Sequence, residues 1–475
     1  MPAAEGFRAN RLMTSILTIQ DAIGAMFGDL ATKSVMANSL SHNAAVVLAT
    51  PEFTKSFGDQ EFMGSLAKLL AGKANASNFN VLGAIVDHIA PPLGSYRSSP
   101  GISVLRGNLD HLMPDLWQPE QPRSKEDADS VSALSFSVGR PTVTLPLART
   151  TFQNSKGSTL FASSFDLSKA VPQQEQHIEK TLQHISFSDE GLPQRLGDLS
   201  LWAPLVPITA PRLVTASFGN IVRGVEVDGQ SIPASTELED AVNSIYEHAS
   251  GKDVPVGTVG VWALVTPKSS SPDAWLNGSP SPLTIGGGNG TFQDLTKSTA
   301  SYLQNSYKHG ARLFKILSGG GGWGVKKGLL SLDPQKTHFA LSEEEEMQRF
   351  MQSMDDSGFA PSGSTIQFLM AVQDPIDMPD YEPPNIVFGV PGSSQETGAV
   401  LEKPFIGAHF GALSNQGIFV SDSAAVDADS GALPDENKLT VPNSRFFVTE
   451  SDQGKGFFGS MRPGFTDAGL AALLL

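Results

Sequence analysis

Apolar residues recur at Leu12, Ile16, Ile19, Ile23, Met26, Phe27 and Leu30, the spacing of one face of a helix. This predicts an amphipathic first helix. The run AAVVLA at 44–49 is short and unbroken, as a strand buried on both faces is, and Thr50 and Pro51 end it. Residues 59–71 read as a second helix and 79–86 (FNVLGAIV) as a second buried strand. That order describes a βαβ-like opening, so a central sheet covered by helices is expected.

The pattern changes in the middle of the chain. Residues 131–147 alternate small, polar and apolar, and TTFQNSKGSTLFAS places a Lys156, Gly157 turn between two β-prone arms, which predicts antiparallel hairpins. His177 and His184 stand seven apart in a polar stretch, read as one solvated face of a helix. Another extended pair spans 213–227, closed by Asp228 and Gly229. Thr236 with Glu239 forms a capping box for a helix through Tyr246. Residues 257–266 return as a strand.

Beyond Thr266, PKSSSPDAWLNGSPSPL has no apolar period and reads as a linker or long loop. A helix over 293–317 carries Leu295, Tyr302 and Leu303 and stops at the glycines after Ser318, and Glu343 to Glu346 open a further helix through Met354. Strands are expected at 365–372, 385–390, 405–410 and 445–449, with a mobile acidic stretch, DSAAVDADSGALPDENK, between the last two. The fold class is therefore α/β, with mixed sheets and flanking helices. Two α/β halves, 10–265 and 286–475, are joined by the Pro/Ser/Gly segment 266–285, and antiparallel hairpins fill the middle of the chain.

Composition narrows the function classes. The 475 residues carry a net charge of −16 and 17% charged residues, against roughly 25% in average domains. Clustered Lys and Arg, which phosphate-backbone binding needs, are missing, so nucleic acid is not an expected partner. The absence of cysteine removes disulfide scaffolds, Cys-ligated metals and thiol nucleophiles. The most apolar tract, the terminal GLAALLL, is far short of the about 20 residues that span a bilayer. No long apolar segment marks a secretory leader, and the two early arginines are compatible with either a mitochondrial or a cytoplasmic, in any case intracellular, protein.

Two glycine-rich loops are the candidate ligand sites. In LSGGGGWGVKKGLL, the glycines Gly319, Gly320, Gly321 and Gly322 allow backbone amides to converge on an anion, with Lys326 and Lys327 adding charge. The alternative is a crossover that lets Trp323 dock on the core. A magnesium-binding hydroxyl after Lys327 is missing, since Gly328 follows it. IGGGNGT, with Gly286, Gly287 and Gly288, precedes its helix and suits amide donation to a ligand, or serves as a flexible lead into that helix. Asp374, Asp377, Asp380 and Glu382 lack the glycine-centred order of an EF-hand and read as an acidic surface turn. No H-E-x-x-H metal pattern and no G-x-S-x-G nucleophile motif occurs. Binding is expected instead of catalysis, and no cofactor is indicated.

The run NAAVVLATPEF after a first helix, then NFNVLGAIVD, then GISVLRG, resembles the opening of FIST-domain proteins. FIGAHFGALSNQGIFV, residues 405–420, is similar to the strand, glycine turn and strand that close the second half of that domain. The resemblance covers most of residues 10–430 and implies a ligand-sensing module of signal transduction with a small-molecule ligand. An F-box-like helix set and an attached output domain, known from some members, are not recognisable. Two alternatives stay open: an enzyme binding an anionic substrate at the glycine-rich loops, or an acidic interaction subunit of a mitochondrial assembly with a protein partner.

Overall fold

The computed structural model describes residues 42–71, 77–89, 101–118, 131–137, 141–186, 201–203, 205–249, 260–266, 268, 279–283, 292–308, 311–319, 328–333, 359–371, 386–387, 409–422, 444–449 and 470–471. Strands dominate them: twenty-five, β1 to β25 in chain order, against six α-helices. The architecture is therefore mostly β, with mixed sheets and few helices, instead of the helix-rich α/β layering that the opening suggested.

The βαβ opening is present. β1 (Ala44–Ala49) runs parallel to β2 (Asn78–Ile85) and antiparallel to β4 (Gly101–Gly107). Helix Gln60–Ala71 makes the crossover between β1 and β2. Asp59 starts that helix, its Oδ1 accepting from the backbone N–H of Glu61 at 2.9 Å and Phe62 at 3.4 Å, which satisfies two of the donors a helix start leaves open. Phe62, Met63, Leu66 and Leu70 then bury against Val47, Val81 and Phe165 on one face of the sheet. Val46, Leu48 and Leu82 face the opposite core. Both faces are dry, which is why β1 reads as an unbroken apolar run. β9 (Leu160–Asp166) and β10 (Gln173–Glu179) extend the β2 side antiparallel, and β25 (Leu470–Ala471) pairs with β4.

Two smaller sheets pack over the second face. One runs β11 (Leu182–Ser186), β5 (Ala133–Ser137), β6 (Pro141–Pro146) and β23 (Phe419–Asp422). The other runs β12 (Leu201–Trp202), β21 (Ile386–Val387), β24 (Ser444–Thr449), β22 (His409–Ser414) and β3 (His88–Ile89). Phe136 of β5 stacks on Phe446 of β24 at 4.8 Å between ring centroids and meets Phe410 of β22 edge-on at 6.2 Å.

Six further strands close into an antiparallel barrel in the order β14 (Arg212–Phe218), β15 (Ile221–Val227), β19 (Leu330–Leu332), β18 (Arg312–Gly319), β17 (Val261–Thr266) and β20 (Thr365–Ala371), with β20 pairing back to β14. β13 (Leu205–Pro207) lies along the same side of β20 as β14, and β16 (Gln230–Pro233) adds to β15. Val214, Val222, Ala263, Val265, Phe314, Ile366 and Phe368 share one core. Trp262, Leu264, Leu313 and Leu369, alternating with them along the same strands, join the core of the other sheets. A period of two thus serves two cores at once, and the barrel is packed instead of hollow.

Several expectations need correction. The helix over 293–317 is a helix only over Phe292–Lys308; Arg312–Gly319 is strand β18, so the glycine run begins where a strand ends. His177 and His184 belong to strands β10 and β11, not to a helix, because their stretch pairs with β9 and β5. The turn in TTFQNSKGSTLFAS is the helical turn Thr151–Asn154 with Ser155 at φ 62°, and Lys156 and Gly157 lie in β8 (Lys156–Ser158), paired with β7 (Arg149–Thr150). Of the strand expected at 405–410, residues 409–410 open β22, which runs on to Ser414, and residues 405–408 lie outside the described residues. The hairpin of β14 and β15 matches the sequence reading, and a helix follows as expected, but it spans Ala234–Ala249, so Thr236 and Glu239 sit within its first turns and not at its cap. The helices expected from Leu12 and from Glu343, and residues 423–438 of the acidic stretch, lie outside the described residues, while its first residue, Asp422, ends strand β23. Strands on either side of segment 266–285 are hydrogen-bonded neighbours, as in Trp262 opposite Lys315, and β23 and β22 of the C-terminal part pair with β6 and β3 of the N-terminal part.

Candidate functional site

A half-open cavity of about 820 Å³ lies between the crossover helix and the β9–β10 edge of the six-stranded sheet. Its floor follows from strand register. Ser163 of β9 stands opposite His177 of β10, and Phe161 opposite Glu179, so these four side chains form two adjacent rows on one sheet face. Phe57, Gly58, Asp59, Gln60 and Met63 bound it from the helical side, and residues 156–159 close a third wall.

The polar groups are held in place. The Ser163 hydroxyl and His177 Nδ1 are 2.8 Å apart, and the His177 ring leans over Phe161 at 5.3 Å between centroids. Partial burial pushes the imidazole pKa below its ordinary value; Glu179 opposes this and Lys156 adds to it. That shift favours the uncharged imidazole. Lys156 and Glu179 form an ion pair at the rim. Lys180 is buried and its Nζ donates to the carbonyls of Leu116 at 2.9 Å and Asp115 at 3.3 Å. That contact fixes the point where the chain passes from β10 in one sheet to β11 in another.

Phe161 can lie flat because β2 offers no side chain beneath it. A Cβ at Gly83 would come within 2.4 Å of Phe161 Cζ. Gly83→Ala should therefore push the ring towards the cavity and cost about 1 to 3 kcal/mol as an overpacked core. Chemical denaturation checks the cost; stability within about 0.5 kcal/mol of wild type would mean that the ring is not wedged there.

Of the glycine-loop residues marked in the sequence, Gly286, Gly287, Gly288, Gly320, Gly321, Gly322, Trp323, Lys326 and Lys327 lie outside the described residues, as do Asp374, Asp377, Asp380 and Glu382. Gly319 closes β18 opposite Leu330. Of the cavity residues, the sequence reading singled out Lys156 and Gly157 as a turn and His177 as a solvated helical position, and none of them as a site. Their signal was there: His177 and Glu179, two apart, share a face only if the stretch is a strand. Among the described residues no cluster of His, Asp or Glu fits a metal ion, and no helix is long and apolar enough to cross a membrane.

No protein-family model, curated protein or solved structure matches this chain.

Proposed function

We propose that the protein is a small-ligand-binding, sensory module, and that the cavity over Ser163 and His177 receives the ligand. The observation that carries this reading is the hydrogen-bonded Ser163–His177 pair on the floor of an 820 Å³ recess, a volume within the range of small-molecule sites. Convergent polar groups beside the buried rings of Phe57 and Phe161 support it. The resemblance of the opening strands to FIST-domain proteins points the same way.

The test is a thermal-shift screen of small polar metabolites on wild type and on His177→Trp, which fills the cavity from its floor on an edge strand that tolerates aromatic residues. A ligand at about 100 times its Kd should add about 2.7 kcal/mol to wild type and almost nothing to the variant. Absence of any stabilising ligand, or equal stabilisation of His177→Trp, overturns the reading.

A catalytic reading draws on the same 2.8 Å contact, since an uncharged imidazole beside a hydroxyl is how a base activates a nucleophile. Ser163 is only 2% exposed, which leaves a substrate little approach to it, so binding is preferred. Multiple-turnover hydrolysis lost in Ser163→Ala would reverse that preference.

A further inference from the structure

The charges around this cavity are not all committed, and the one left over says what the ligand carries. Three lysines, Lys55, Lys156 and Lys180, line it against two carboxylates, Asp59 and Glu179. This local excess of positive charge occurs in a chain of net charge −16. Glu179 is taken by Lys156. Asp59 accepts two backbone amides at the helix start, and Lys180 is anchored to two carbonyls. Lys55 alone among these charges has no hydrogen-bond or ion-pair partner among the described residues. His177 adds a second group. When the Ser163 hydroxyl donates to Nδ1, the ring proton sits on Nε2, a donor with no protein acceptor among the described residues.

We propose, on the footing that the cavity is the ligand site, that it takes a small organic carboxylate, with Lys55 as counter-cation and the His177 N–H as second donor. One uncommitted cation matches one negative charge. A dianion such as phosphate would sit close to the Asp59 and Glu179 carboxylates as well, and repulsion from both disfavours it. The apolar part of the ligand lies against the wall to which the nearly buried Phe57, Met63 and Phe161 contribute.

Isothermal titration of the full chain with a panel of short-chain and aromatic monocarboxylates, their neutral amides and inorganic phosphate tests this. At least one carboxylate should bind saturably. Its amide should bind about tenfold or more weaker, as should the carboxylate to Lys55→Gln, since a charge-assisted hydrogen bond is lost in each case. Lys55→Arg should restore most of the affinity, and raising salt from about 50 to about 500 mM should weaken it, because this charge is screened. Equal binding of acid and amide, or an unchanged Kd in Lys55→Gln, overturns the carboxylate assignment while leaving the cavity a binding site. Phosphate binding that exceeds every carboxylate overturns it as well. If the wider metabolite screen also finds nothing that stabilises the wild type, the binding reading falls with it.

Discussion

Phe136→Ala should lower the unfolding free energy by about 3 to 5 kcal/mol, the cost of deleting a fully buried aromatic ring. Phe136 is 0% exposed, and its ring is held by Phe410 and Phe446, which lie 274 and 310 residues further along the chain. A cavity there cannot close by local repacking, because its walls belong to three different strands in two sheets. For a protein whose whole stability lies within about 5 to 15 kcal/mol, such a loss is a large fraction. Denaturant titration of the variant measures it. Phe152→Ala is the matched control: Phe152 is fully exposed, so its loss should stay within about 0.5 kcal/mol. Comparable losses at the two sites would mean that the sheet-to-sheet contact at Phe136 does not hold the fold.

Acid should weaken the protein before its carboxylates protonate, and His42 should account for much of this. His42 is buried at the start of β1, its Nδ1 lacks a hydrogen-bond partner among the described residues, and burial followed by the nearby Arg106 charge lowers its pKa to about 4. In the unfolded chain the same group titrates near 6.5. Between these values the unfolded state takes up a proton that the folded state refuses, so stability is intact above about pH 6.5 and falls as pH drops towards 4. The gap of about 2.5 units corresponds to about 3 kcal/mol once both values are passed. His177 and His184, also lowered by burial, slope the same way, and Asp87, raised by burial, slopes oppositely at the acid end of the range. The readout is therefore a difference: unfolding free energies of wild type and His42→Gln at about pH 7, 5.5 and 4.5 should converge as pH falls. Parallel profiles would show that His42 does not titrate in the folded core.

Where local pattern and tertiary role coincide, the sequence was legible. AAVVLA and FNVLGAIV are apolar on both faces because both faces are buried, and the intervening helix shows its period and its Asp59 cap, so the parallel β1–β2 pair could be read directly. The helix at 234–249 was readable only in outline: it begins two residues before Thr236, so Thr236 and Glu239 lie inside its first turns and do not cap it. At β18, by contrast, RLFKILSG carries no alternation that a local window could separate from a helix end. Its strand state comes from pairing with β17 and β19, partners about fifty residues before it and about ten after it.

The amino-acid sequence alone determined the acidic balance, the absence of thiol chemistry, the βαβ opening and the presence of hairpins in the middle of the chain, because each is a property of composition or of a short window. The tertiary structure decided the barrel, since closure is a pairing between β14 and β20, about 150 residues apart. It also decided the site. His177 and Ser163 lie fourteen positions apart, in a stretch that looks polar and helical, and only the antiparallel register of β10 on β9 sets the imidazole against the hydroxyl. Lys55, from the helical turn Thr54–Phe57, and Asp59, at the start of the crossover helix, reach the same recess. Long-range register has no local signature, because the backbone hydrogen bonds that fix it are alike for every residue type.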